Sequence, residues 1–419
     1  MFPQSKFEIS PPKGMIKSIP QFNVPSLKTR QRITFSDIGR EPFRIFFPAG
    51  VLAGIVGVAL WPLYFWHITE FYPNLTHPRI MACGMFGAFI FGFLGTAMPR
   101  MLSSNPFRVG EVILLLLLHT AMVFSFAAAK IFVGDVLFLL MLVGFFGCIA
   151  MRASQRKDTP PPGFVLVGLA LLCVANGTVL SIIEKFHELE PFWISLQKLL
   201  SYQGFVLLPI LGIGPFLLPR FFGMQSAHDF PEALVPSAGW TKKAVIALAA
   251  GTLVVGSFFV EANGWLRTAY GIRFATTLIY LYLEMPFHRT PATNPFGASI
   301  RIAFVGVLAG FLAVSFFPAY RTSLLHLTLI GGFAVITFVV ATRVIFGHSG
   351  NLQLLKGRNR WLLIAIGVML FAMATRISGD FWPKIMASHY IYGAIIWIAA
   401  VLLWSVYVLP KVLQADAED

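Results

Sequence analysis

Twelve apolar runs separated by shorter polar stretches set the pattern of this chain. They lie near residues 43–66, 80–99, 109–129, 131–151, 163–182, 197–218, 242–262, 268–285, 300–318, 323–345, 361–377 and 385–409. Each has about the length that a helix needs to cross roughly 30 Å of hydrocarbon. The runs are continuous, without the inside-outside alternation of a transmembrane barrel. The pattern therefore predicts an all-α polytopic membrane bundle of about 12 transmembrane helices. Composition agrees, because 57% hydrophobic and 12% charged residues in a 419-residue chain leave too little polar surface for a water-soluble globule.

Outside the runs, residues 1–42 are polar, basic and rich in Ser and Pro, which predicts a disordered cytosolic tail. They have no hydrophobic core of the signal-peptide type, so they do not read as a cleaved signal. Residues 43–410 then form the twelve-span membrane domain, and 411–419 a short acidic C-terminal tail. With the N-terminus in the cytoplasm, 23 of the 32 Lys and Arg residues fall on the inner side. Without residues 1–44 the count is still 15 inside against 9 outside, so both termini are expected in the cytoplasm. The net charge of +14 fits anchoring and contact with anionic membrane lipid, and gives no reason to invoke nucleic acid.

A period of four spans is also visible. The second, sixth and tenth runs end in GFLGTAMPRML (Gly92–Leu102), GPFLLPRFFG (Gly214–Gly223) and FVVATRVIFG (Phe338–Gly347), with Arg100, Arg220 and Arg343 in corresponding places. Three four-helix units would give this spacing. Arginine also belongs at the inner ends of spans for reasons unconnected with repetition.

Candidate chemistry rests on histidine. The segment from His326 to Gly350 is an apolar helix-length stretch with a histidine at each end, and at 1.5 Å per residue these lie about 33 Å apart. They cannot share a metal. His326, His77 and His389 each open a span near the outer boundary, whereas His348 lies beyond the inner end of the tenth, in a Gly-His-Ser-Gly turn. His77 is the first partner to consider for His326, since Met81 follows it one turn later on the same helix face. His/His and His/Met pairs serve as axial ligands of haem, and imidazole with thioether also suits copper. His77, His326 and His348 are the candidate metal ligands, and His389 and Met81 join them as cofactor-binding candidates. Arg343, one turn before His348, could meet a lipid phosphate or a haem propionate. The plain alternatives are interfacial hydrogen bonding for His67, His187 and His288, an interhelical hydrogen bond for His119 in mid-span, and a helix cap for His348. Cys83, Cys148 and Cys173 lie in separate spans and read as small buried apolar residues.

Two stretches, HPRIMACGMFGAFIFGFLGTAMP (His77–Pro99) and His326 through TRVIFGHSG (Thr342–Gly350), resemble the signature regions of the NnrS family of bacterial membrane proteins. EPFRIFF (Glu41–Phe47) is similar to the family's opening motif, and the likeness extends over most of the chain. The resemblance implies haem b and copper as cofactors, a role in nitric oxide metabolism or nitrosative-stress protection, an electron donor as partner, and the bacterial inner membrane as location. The sequence also departs from the family. The second histidine and acidic residue that usually follow the first are Arg79 and Ile80 here, a Gly-Gly-Arg near the end of the sixth span is Ile213-Gly214-Pro215, and the usual arginine after GH-[ST]-G is Asn351. A metal site built on paired histidines would lack a ligand, which points to a reduced cofactor set of one haem without copper.

Haem–copper oxidase large subunits offer a fold-level likeness, with twelve spans, a threefold layout and a haem ligated from the second and tenth helices. The chain has no adjacent His-His pair and no H-x-x-x-Y motif, which argues against an oxidase centre. Whether it is an enzyme stays open at this point. A cofactor-free transporter or channel is the alternative, since twelve Gly- and Pro-containing spans suit a rocking bundle, although the runs hold few carboxylates for ion coupling.

Overall fold

A computed structural model describes residues 33–415 except Pro286, Ala292 and Thr293. Among these residues the elements are all helical. Twelve long helices follow the twelve apolar runs: α1 (Phe43–Phe65), α2 (Thr76–Met101), α3 (Val109–Ala127), α4 (Ile131–Ser154), α5 (Phe164–Glu184), α6 (Pro191–Phe222), α7 (Ala238–Ala262), α8 (Leu266–Glu284), α9 (Pro295–Phe316), α10 (Pro318–Gly347), α11 (Arg360–Phe381) and α12 (Pro383–Leu413). Eleven are apolar enough throughout to cross a membrane. The exception, α8, matches them in length but carries Arg267, Arg273 and Glu284, and packs between α7 and α9.

The helices form a closed ring. Each packs on the next in sequence, and α12 returns to pack on α1. Inside this ring α2, α6 and α10 meet, with Phe86 and Phe89 of α2 against Phe333 and Phe338 of α10. Their apolar stretches are 78%, 72% and 61% buried, against 28% for the lipid-facing α3. All three central helices also share a local departure from α-geometry, a π-helical stretch at Ile80–Phe86, Leu200–Gly204 and Leu327–Ala334. Each stretch contains glycine, at Gly84, Gly204 and Gly331–Gly332. The four-span period read from arginines thus recurs in the backbone, and widened turns of this kind re-aim side chains at functional sites.

The polar ends of the chain are drawn into the same body. Most of the basic tail, residues 1–32, and the last four residues of the acidic tail, 416–419, lie outside the described residues. The remainder of the N-terminal segment forms a helix, Phe35–Arg40, against α3. Directly after it, Glu41 and Arg44 are 5% and 4% exposed, and they clasp four helices together. The Glu41 carboxylate accepts from Arg44 Nε at 2.6 Å, Arg100 Nη2 at 2.8 Å and His348 Nδ1 at 2.5 Å. Arg44 in turn donates to the backbone carbonyls of His348, Val412 and Gln414. The first and last parts of the described chain therefore lie at one face of the bundle, as an even number of crossings requires.

Burial alone would raise the pKa of Glu41, but the His348 hydrogen bond and the charges of His348 and Arg44 hold the carboxyl below its ordinary range. Such a group stabilises the fold above the ordinary carboxylate range, and the contribution is lost as pH falls through the folded-state value. Glu41→Gln should cost about 3–5 kcal/mol at neutral pH, the range for breaking one side of a buried ion pair. Thermal unfolding in detergent should show the gap from the unsubstituted protein narrowing as the solution is made acidic, and a pH-independent gap would refute the ion-pair account.

Candidate functional site

At the face opposite the clasp, the gap between α10 and α2 opens into a cavity of about 400 Å³, within the range of cofactor sites. His77 and Met81 line it from α2 and His326 from α10, with α1, α6, α11 and α12 completing the wall. Both imidazoles are held from behind. His77 Nδ1 donates to the Gly57 carbonyl at 2.9 Å, and His326 Nδ1 donates to the Thr322 carbonyl at 2.9 Å. A carbonyl can only accept, so each ring carries its proton on Nδ1 and leaves Nε2 with a free lone pair, as histidine ligands of metals are held.

The backbone explains why His77 reaches its partner. A Cβ on Gly57 would stand 2.9 Å from Ile80 and 3.1 Å from the Met81 sulfur, so only glycine lets α1 approach close enough for its carbonyl to meet the imidazole. Trp61, one turn further along α1, packs edge-on to His77 at 5.9 Å and to Tyr390 at 5.1 Å. The rest of the wall combines apolar side chains with neutral polar ones such as Asn74, Tyr202 and Gln203 and with three cations, Lys198, Arg321 and Arg376. Arg376 lies over the Tyr390 ring at 3.6 Å and 3.2 Å from Asp380. Arg321 pairs with Glu261 at 2.5 Å and bonds Tyr270 at 3.1 Å.

Two other gaps between central helices, at the same face, are closed by buried charge. Between α2 and α6, Arg79 meets Asp135 of α4 at 3.2 Å and Ser181 of α5 at 2.7 Å, and Ser181 donates to Asp135 at 2.5 Å. Between α6 and α10, the fully buried Arg273 pairs with Glu261 and donates to Gln203 at 3.0 Å and Ser257 at 2.8 Å. Three clefts of similar placement thus differ in filling: two hold an arginine–carboxylate pair, and one holds two histidines facing open space.

The family model described as NnrS protein matches residues 38–415, nearly the whole chain. The chain belongs to the NnrS family. A comparison with curated proteins gives no match. Within the NnrS signature region, Arg79 occupies the place where the second histidine was expected, and its side chain is committed to Asp135 rather than to the cavity. Among the described residues no three His, Cys, Asp or Glu side chains gather as a metal cage. A ligand set drawn from two histidines, or from two histidines and a thioether, is what this NnrS-family chain presents.

The other site residues expected from sequence lie elsewhere. His348 is in the clasp, and Arg343 lies over the Phe221 ring at 4.7 Å on that same face, so neither reaches the cavity. The full length of α10 separates them from His326. His389 bonds the Ile385 carbonyl at 3.1 Å and lies beside Gly379, while its neighbour Tyr390 faces the cavity, because one residue turns a helical side chain by about 100°. His119 makes the expected interhelical bond, to the Gly84 carbonyl at 2.9 Å. The cysteines are all free. Sequence reasoning missed Arg321, Arg376 and Lys198 in the cavity wall, the pairing of Asp135 and Glu261, and a buried His228–Glu284–Lys243 cluster. Charges inside apolar runs, as at Arg376 and Asp135, were the available signal.

Asp135→Ala would leave Arg79 buried without a counter-charge and should destabilise the protein by about 3–5 kcal/mol. Combining it with Arg79→Leu should restore most of that loss in detergent thermal melts. If the double variant melts no higher than Asp135→Ala, the cleft depends on something other than this pair.

Proposed function

We propose that this chain is a haem-binding membrane protein that acts in nitric oxide metabolism or protection from nitrosative stress. The observation that carries the haem reading is the convergence of His77 and His326 on one cavity, each with Nε2 free. Cavity size and the apolar part of the wall fit the macrocycle, and Lys198 is the wall cation with no carboxylate partner among the described residues, Arg321 and Arg376 being paired with Glu261 and Asp380. The nitric oxide role draws on membership of the NnrS family.

In this reading the two Nε2 atoms would hold the metal, and the Gly57 and Thr322 carbonyls would fix the rings and raise their basicity. Lys198 would meet a propionate, whereas Arg321 and Arg376 are already paired with Glu261 and Asp380. Bound haem would supply a one-electron centre, and would take up a diatomic gas where one of the two histidines gave way. Trp61, Tyr390 and Trp397 shield the cavity on the α1 and α12 side. The excess of Lys and Arg on the clasp side supports a cytoplasmic clasp and a cavity toward the outer side of the membrane. Copper is not needed for this arrangement, and with Arg79 turned to Asp135 a second centre on paired histidines has lost its ligand.

The test is an absorption spectrum, oxidised and dithionite-reduced, of protein expressed with sufficient haem, together with iron and copper analysis. A Soret band is expected. His77→Ala and His326→Ala should each lower haem retention by about tenfold or more, since even the outer partners of ligating histidines change metal affinity by about 10- to 100-fold. His187→Ala should leave the band intact. A normal band in both variants would overturn the ligand assignment, and no band at all would overturn the haem reading.

A further inference from the structure

A second cavity lies in the centre of the bundle, nearer the clasp than the histidine cavity. It has a volume of about 90 Å³ and lies where α2, α6 and α10 meet. Phe89 and Phe93, Ile210 and Leu217, and Ile336 and Val340 contribute its walls from the three helices, and Thr337 is the one side chain with a polar atom among its lining residues. A water molecule needs two to four polar partners to be held in a protein interior, and a wall of this kind does not offer them. Apolar cavities stay dry and take apolar guests; one of about 150 Å³ accepts benzene or xenon. This smaller space suits a guest of one or two heavy atoms.

Its position gives the guest somewhere to go. Phe86 belongs to the walls of both cavities. It ends the π-helical stretch that begins at Ile80, close after His77, and its ring meets Phe333 edge-on at 6.3 Å. Phe333 is itself carried on the π-helical stretch of α10, directly after Gly331–Gly332. The residue common to both walls is therefore a phenyl ring on a widened turn, backed by a second phenyl ring from α10.

We infer that the central cavity is a docking site for a small uncharged gas, from which the gas passes Phe86 to reach the histidine cavity. The passage as a supply route to iron rests on the haem reading, whereas docking in the central cavity does not. Apolar gases concentrate in hydrocarbon, so a store of this kind in the bundle centre would feed the histidine cavity without a step through water.

Xenon is the probe, applied to the full-length protein in crystals under xenon pressure or followed by xenon NMR in nanodiscs. A bound atom is expected between α2, α6 and α10. Val340→Phe should fill the space and abolish it, with Ile210→Trp as a second filling variant should the first fail to fold. Both should keep the Soret band of the unsubstituted protein. No bound xenon in folded protein, a lipid acyl chain in the cavity, or undiminished xenon in both filled variants would overturn the inference. Xenon binding without a Soret band would uphold the gas site and refute the haem reading; a Soret band without xenon would do the reverse. With haem present and carbon monoxide bound in place of one histidine, rebinding after photolysis should change in rate in Val340→Phe, and an unchanged rate would refute the passage by Phe86.

Discussion

A charge buried in a membrane bundle has no water to turn to, so each one must find its partner in the protein. That constraint organises this molecule. Arg44 and Glu41 answer each other at one face, and Arg79 with Asp135 and Arg273 with Glu261 do so at the other. Arg79–Asp135 and Arg273–Glu261 join different helices and so fix how these are rotated and how close they lie, whereas Glu41 and Arg44 are neighbours in sequence that bind other helices through Arg100, His348 and the carbonyls of Val412 and Gln414. The clefts closed by arginine are shut for an electrostatic reason. The remaining cleft is open at its centre, where His77 and His326 are each satisfied on one side by a backbone carbonyl and Arg321 and Arg376 are paired in the wall.

The three central helices show how one plan was fitted with different contents. All carry a π-helical stretch at corresponding depth, and all carry an arginine near the clasp end. The arginines have separate fates: Arg100 joins Glu41, Arg220 pairs with Asp229 at 3.0 Å, and Arg343 rests on Phe221. Equivalent positions in such a layout carry no equivalent function. Functional likeness has to be argued cleft by cleft.

The spans and their order were legible because apolar length leaves few choices in lipid, and even the polar α8 was visible as a run. His77 and His326 could be paired from depth alone, since both open a span at the same side. Depth also separated His348 from His326. Rotation about the helix axis was not legible: hydropathy cannot say that Tyr390 rather than His389 faces the cavity, or that Arg79 turns toward α4. Nor could it show the π-helical stretches, for which glycine pairs such as Gly331–Gly332 were only a hint. That Arg321 and Arg376 belong to one cavity wall emerges only with the neighbouring helices in place around them.

The clasp imposes an order on events. Arg44 precedes the first membrane crossing, yet two of its acceptors, Val412 and Gln414, follow the last. It cannot close until residues 412–414 have been made and α12 has come back to α1. The histidine cavity shares that dependence, because Arg376, Tyr390 and Trp397 in its wall belong to the final two helices. During synthesis there is a bundle with a missing side and no enclosed space to fill. Closure of the ring and enclosure of the cavity thus both wait on α11 and α12.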